Sequence, residues 1–357
     1  MKNEKIKICK AGFFDPYLDT LGGGERYMLT LAEYLSNNGG EVDLFWNNPG
    51  LKEKIRIRFD LDLDRVNFVS IGKNILERWK ITRKYDMFFW LSDGSVPFLF
   101  SQNNVLHFQV PFHGVNGRSL ANKIKLKNIN HIVCNSKFTK KFIDKEYGVD
   151  SEVIYPPVDV DSFKTRGKEN IILTVGRFSK LLQAKRQDIL IEAFKKMVDN
   201  GLKGWKFQLA GSTDVGGWEY LAALKSLAGD YPIEFYENCS FDILKNLYSK
   251  AKIFWYAGGY GIDEEKEPEK VEHFGITVVE AMAAGCIPFV CPKGGLKETV
   301  KDKKTGFYYQ NLAQLQSFTQ KLILDSQKTE NMAKEVVKSS YQFGKNAFCE
   351  KFKEILK

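Results

Sequence analysis

No Cys-x-x-Cys pair occurs in this 357-residue chain, and its four histidines, His107, His113, His131 and His273, do not fall at metal-ligand spacing. Zinc is therefore not expected. The six cysteines, scattered through apolar runs such as HIVCNS and CIPFVC, read as buried reduced thiols. No stretch approaches the roughly 20 apolar residues that span a bilayer. The opening MKNEKIKICKAGFFDP has a basic lead but no apolar run of signal-peptide length, so a cytoplasmic protein is expected. Residues 88–100, FFWLSDGSVPFLF, are apolar but broken by Ser, Asp, Gly and Pro, and read as a buried strand with a loop. No nucleic-acid-binding motif accompanies the net charge of +9, and nucleic acid is not an expected partner.

The positive charge is concentrated. From Arg118 to Lys141 there are seven basic residues and no acid, which fits either a solvated helix face or a surface that meets anionic lipid or an acidic acceptor. Asp60, Asp62 and Asp64 in FDLDLDR alternate, as in a metal-binding Asp-x-Asp, but lie among early N-terminal elements away from the expected cleft. They read as solvated carboxylates.

A chain this long exceeds what one core usually supports, and its order of elements repeats. IKICKAGFF reads as a buried strand, LGGGER as a glycine turn, YMLTLAEYLSNNGG as an amphipathic helix with a glycine stop, and EVDLFW as the next strand. After Pro156 and Pro157 the pattern restarts with NIILTVGRF, AKRQDILIEAFKKMVDNG and KFQLAGS. Two doubly wound α/β domains are implied, residues 1–157 and 158–342, facing each other across a cleft at the carboxyl ends of their strands. The turn GGGER is not the dinucleotide fingerprint, because Arg26 or Tyr27 stands where Gly-x-Gly-x-x-Gly needs a glycine.

EHFGITVVEAMAAG, residues 272–285, sets Glu272 and Glu280 around a helix start near Gly275, with Gly285 as its stop. The free amides of Phe274, Gly275 and Ile276 make a phosphate site. Two acids beside it call for a neutral hydrogen-bond donor such as a sugar hydroxyl. VGRFSKLLQAKRQD puts Arg177, Lys180, Lys185 and Arg186 at a strand's carboxyl edge. A cation about 4 Å from a phosphate oxygen contributes several kcal/mol at an effective dielectric of about 20.

EHFGITVVE resembles the E-x7-E motif of the family 4 retaining glycosyltransferases of GT-B fold, and VGRFSKLLQAKRQDILIEAF is similar to that family's phosphate-binding strand and helix. LGGGER, HIVCNSKFTKKFI and VIYPPVDVDSF follow in family order, so the resemblance covers nearly the whole chain. GGGER with EHFG further resembles mannosyltransferases of lipid-linked oligosaccharide and bacterial polysaccharide assembly. The resemblance implies transfer of a sugar, with retention, from a nucleoside diphosphate sugar to a glycan or lipid-linked acceptor, GDP-mannose being the first donor it points to.

It implies site roles as well. Glu272 contacts the donor sugar, Glu280 the ribose, and the amides of Phe274 to Ile276 the diphosphate. Arg177 and Lys185 neutralise the leaving diphosphate, Gly23 and Gly24 let the N-terminal loop close on the donor, and His107 in VLHFQVP reaches the transferred sugar. No cofactor or divalent metal is expected. A last helix, about 343–357, is expected to cross back onto the first domain, and segment 118–141 to allow peripheral contact with the inner membrane face. Lys185-Arg186 departs from the Lys-Gly of many members, and YGIDEEKEPEKV is an acidic insert before Glu272 that reads as an acceptor-site edge or a solvated loop. A nucleotide-sugar 2-epimerase of the same fold and a non-catalytic sugar-nucleotide-binding protein remain alternatives.

Overall fold

The computed structural model describes residues 8–70, 75–180, 183–213 and 217–356. Ile6 and Lys7 of the first expected strand, and Leu181 and Leu182 of the cationic loop, lie outside them. The chain divides into two compact units, residues 1–157 with 345–357, and residues 158–344.

In the first unit, the elements run β1 (Lys10–Phe14), α1 (Gly23–Asn37), β2 (Glu41–Phe45), α2 (Leu51–Phe59), β3 (Val66–Val69), α3 (Ile75–Thr82), β4 (Met87–Leu91), β5 (Asn103–Phe108), α4 (Leu120–Leu126), β6 (His131–Cys134), α5 (Lys137–Tyr147) and β7 (Glu152–Val153). The strands pair in parallel in the order β3-β2-β1-β4-β5-β6-β7. A parallel sheet covered by helices on both faces needs continuous apolar strands. The central strand β4, MFFWL, is buried at all five positions.

The second unit runs β8 (Glu169–Val175), α6 (Gln187–Asp199), β9 (Lys206–Gly211), α7 (Gly217–Ala228), β10 (Ile233–Glu237), α8 (Phe241–Lys250), β11 (Ala251–Tyr256), α9 (Ile276–Ala283), β12 (Ile287–Val290), α10 (Leu296–Thr299), β13 (Phe307–Tyr308), α11 (Leu312–Ile323) and α12 (Ser326–Ser340). Its parallel sheet has the order β10-β9-β8-β11-β12-β13. Each sheet reverses its strand order beside its first strand, which is where doubly wound folds place ligands. The last helix, α13 (Lys345–Ile355), belongs to the first unit, where Phe348 and Phe352 meet the Tyr27 ring edge-on at 4.8 and 5.9 Å.

One expectation needs correction. Four of the six cysteines are buried free thiols, but Cys9 is exposed and Cys239 half-buried. In FDLDLDR, which lies in a loop, Leu61 and Leu63 turn into the core while Asp60, Asp62 and Asp64 face solvent. Among the described residues no helix is long and apolar enough to cross a membrane.

Candidate active site

The carboxyl end of β8 opens the site. Arg177 stands exposed just past the strand. The chain returns at Lys185, whose stem crosses Gly176 so closely that a Cβ there would lie 2.7 Å from Lys185 Cγ. Lys185 Nζ reaches 2.6 Å from Oε2 of Glu272, and both side chains are only 14% exposed. The Tyr256 hydroxyl, at the end of β11, donates to the same oxygen. The Lys185 ammonium also lies 5.4 Å from the centre of the Tyr256 ring.

This arrangement sets the protonation of the site. Burial alone would raise the Glu272 pKa, but the charge and hydrogen bond of Lys185, with the Tyr256 hydroxyl, hold it down at about 2. The carboxylate is therefore ionised at neutral pH. Tyr256 is pushed the other way, first by burial and then by the Glu272 charge, while the positive charge of Arg177 partly offsets the shift. Arg177 thus acts on the same cluster.

Glu272 is anchored from its backbone. Gly295 N–H donates to its carbonyl at 2.9 Å, and Cβ atoms at Gly294 and Gly295 would fall within 2.1 and 2.0 Å of the carbonyls of Glu272 and His273. Only glycine lets the loop before α10 press so tightly on this segment. Glu264, from the acidic insert, accepts the Gly294 N–H at 2.6 Å and pairs with Lys297 at 2.7 Å. The insert is therefore tied to this loop and is not simply solvated.

Gly275 caps α9 with φ +97° and ψ 58°, a left-handed conformation that suits glycine, and Gly285 ends the helix at φ +79°. Phe274 is buried, Ile276 half-buried, and Glu280 buried one turn into α9, where it accepts the Tyr248 hydroxyl at 3.1 Å. The remaining cations are engaged elsewhere. Arg186, at φ +51°, turns its Nε to Asp188 at 3.1 Å, and Lys180 stands 5.3 Å from the centre of the Tyr220 ring.

In the first unit, Gly23 and Gly24 open α1, with Gly24 buried. His107 is 0% exposed on β5, stacked on Tyr27 at 3.9 Å, with both ring nitrogens engaged, by the Val133 carbonyl at 3.1 Å and the Gln109 amide at 2.9 Å. The imidazole is an interior group, because the apolar strand that carries it lies directly beneath α1. Asp60, Asp62 and Asp64 do not converge either: Asp60 ends α2 at φ 54°, and the Asp62 N–H donates to Glu33. Among the described residues no group of three His, Cys, Asp or Glu side chains could hold a metal ion.

Tyr256, Gly294 and Gly295 escaped sequence reasoning as site residues, whereas Glu264 lies in the insert read as an acceptor-site edge or a solvated loop. The available signals were a tyrosine closing the apolar run KIFWY and a glycine pair in PKGG.

Two parallel-sheet Rossmann-like units, one of them carrying this cluster at its strand ends, define a glycosyltransferase of GT-B type. Residues 158–339 match the family described as "Glycosyl transferases group 1", and residues 21–162 that described as "Glycosyltransferase Family 4". The chain belongs to the group 1 glycosyltransferase family and is a family 4 glycosyltransferase.

Relatives include the "GDP-Man:Man(3)GlcNAc(2)-PP-Dol alpha-1,2-mannosyltransferase" of Dictyostelium discoideum, 28% identical over 60% of this chain and 43% of that protein. The protein of that name from Kluyveromyces lactis is 24% identical over 84% of this chain and 66% of its own length. The chain thus spans less than two thirds of either relative. The structure of Anabaena HepE in complex with UDP and glucose superposes with a TM-score of 0.70 at 19% identity, covering 98% of this chain and 99% of that one, which shows a shared fold. The epimerase and binding-only readings are not favoured beside these transferases.

Proposed function

We propose that the chain is a retaining, metal-independent hexosyltransferase that moves a sugar from a nucleoside diphosphate sugar to a hydroxyl of a glycan or lipid-linked glycan. The carrying observation is the buried Lys185–Glu272 pair, joined by Tyr256, beside the Gly275 mouth of α9. A diphosphate at the amides of Phe274, Gly275 and Ile276 draws the ammonium of Lys185 and the guanidinium of Arg177. Glu272, ionised and held by Tyr256, then takes hydroxyls of the donor sugar, and Glu280 those of the ribose. As the bond from the anomeric carbon to the phosphate oxygen breaks, that oxygen takes the acceptor's proton, and the acceptor oxygen bonds the same face of the carbon. The two cations stabilise the charge left on the diphosphate, the task otherwise given to a divalent metal.

The mannosyltransferase relatives make GDP-mannose the first donor to test, and the nucleotide named with HepE makes a uridine sugar the second. A cytoplasmic location with peripheral contact at the inner membrane face is supported by α4. There Leu120 is 75% and Ile124 51% exposed, among Lys123, Lys125 and Lys127 of the basic segment 118–141.

A thermal-shift screen of GDP-, UDP- and ADP-sugars tests the donor reading, since a ligand that binds only the folded chain raises its melting temperature. One nucleotide class should stabilise the wild type and do so less for Lys185→Ala. Equal shifts in both proteins, or none with any nucleotide sugar, would count against it. Anomeric proton coupling in the product then reads retention or inversion, and turnover in EDTA reads metal dependence.

A further inference from the structure

One carboxylate oxygen at the carboxyl edge of the first unit's sheet has no hydrogen-bond partner among the described residues: Oδ2 of Asp15, a residue 1% exposed. Its other oxygen accepts the Tyr17 N–H at 2.8 Å. Asp15 follows directly on β1. Phe14 pairs with Trp90, so the next row of the sheet runs Asp15, Leu91, His107, Val133. Successive residues alternate faces, which puts Asp15 on the face that α1 covers through the stacking of Tyr27 on His107. Burial, and then the like charge of Glu25 in the first turn of α1, raise its pKa to about 7.

Gln109, two residues past His107, comes to the same face. His107 Nδ1 faces the Val133 carbonyl and must donate to it, and burial lowers the ring's pKa to about 4, so the ring is neutral and Nε2 carries no proton. The Gln109 atom 2.9 Å from Nε2 is placed as Oε1; with Nε2 unprotonated, the amide is assigned the reverse orientation, its N–H facing the ring, which leaves its carbonyl oxygen and second N–H for another group. Gly24 adjoins this row, since a Cβ there would lie 3.1 Å from Leu91 Cδ1 and 3.4 Å from Gln109 Cγ.

A buried carboxylate oxygen without a donor is costly, and a hydroxyl supplies the donor without adding charge. A second anion would be repelled by Asp15 and Glu25. We propose that Asp15 and Gln109 bind adjacent hydroxyls of the acceptor sugar, with Oδ2 of Asp15 accepting from one, the Gln109 amide bonding the other, and His107 holding that amide as a positioning residue. The inference rests on the hydroxyl-acceptor reading above.

The test uses the full chain, GDP-mannose or UDP-glucose as donor, and octyl α-D-mannopyranoside as acceptor probe. Asp15→Asn, Asp15→Ala and Gln109→Ala should each raise the KM for the mannoside about tenfold or more while the donor KM stays within twofold. Asp15→Asn should melt no lower than wild type, which shows that it folds. An unchanged mannoside KM in Asp15→Ala, or a donor KM that rises by the same factor, overturns the proposal. If the wild type does not use the probe, saturation-transfer NMR with methyl α-D-mannopyranoside, α-D-glucopyranoside and α-D-galactopyranoside decides. A signal in the wild type that disappears in Asp15→Ala supports the pair; equal signals, or none with any of the three, overturn it. Failure of the wild type to release nucleoside diphosphate from any donor contradicts the donor reading instead.

Discussion

The ammonium of Lys185 lies 2.6 Å from Oε2 of Glu272 across 87 residues of sequence, with both side chains largely shielded from water. In the function proposed above, the cation that neutralises the diphosphate is thus held by the acid that meets the donor sugar. A pair shielded in this way costs much to break from one side, because the remaining charge stays buried without a partner.

That asymmetry is measurable in the folded chain. Lys185→Met should destabilise the second unit by about 3–5 kcal/mol, and Lys185→Met with Glu272→Gln together by clearly less. Denaturant unfolding of the two singles and the double checks it. Additive losses would mean that the two side chains do not interact energetically.

The pair also fixes a pH response. The folded pKa of Glu272, about 2, lies below the ordinary glutamate value of about 4.3. A depressed carboxyl contributes stability that is present above the unfolded value and is lost as pH falls through the folded one. Stability of the second unit should therefore drop between about pH 5 and pH 2, by on the order of 3 kcal/mol from this group. In Glu272→Gln the drop should shrink by that amount. Melting temperatures measured from pH 7 to pH 2 read the difference.

The first unit depends on its distant helix α13. Phe352 is fully buried there against Phe89 and Tyr27. Phe352→Ala should cost about 3–5 kcal/mol, as large-to-small core changes do. Hydrogen exchange should show the loss in β1, β4 and α1, with the strands of the second unit unaffected.

Much of this fold is legible in the sequence because its strands are uninterrupted apolar runs: MFFWL and IPFV are buried over their whole length. Gly275 and Gly285 bound α9 where glycine must, at positive φ. Side-chain partnerships across the chain are not legible in that way. Nothing in the spacing of VGRFSKLLQAKRQD shows that Lys185 turns to Glu272 while Arg186 turns to Asp188. Tyr256 looks like one more core aromatic until the chain folds and its hydroxyl meets Glu272. The setting of His107 is illegible for the same reason, since its place in an apolar strand is readable but the Tyr27 ring that covers it is not.

The most direct measurement is single-turnover release of nucleoside diphosphate, together with glycoside formation, by wild type and Lys185→Ala on the donor that stabilises the chain. With the departing charge held by Lys185 and Arg177, the variant should lose at least about a hundredfold in rate, as removal of one preorganised donor does elsewhere. Its circular dichroism should stay native. A Lys185→Ala rate within a few-fold of wild type would contradict the role given to the Lys185–Glu272 pair.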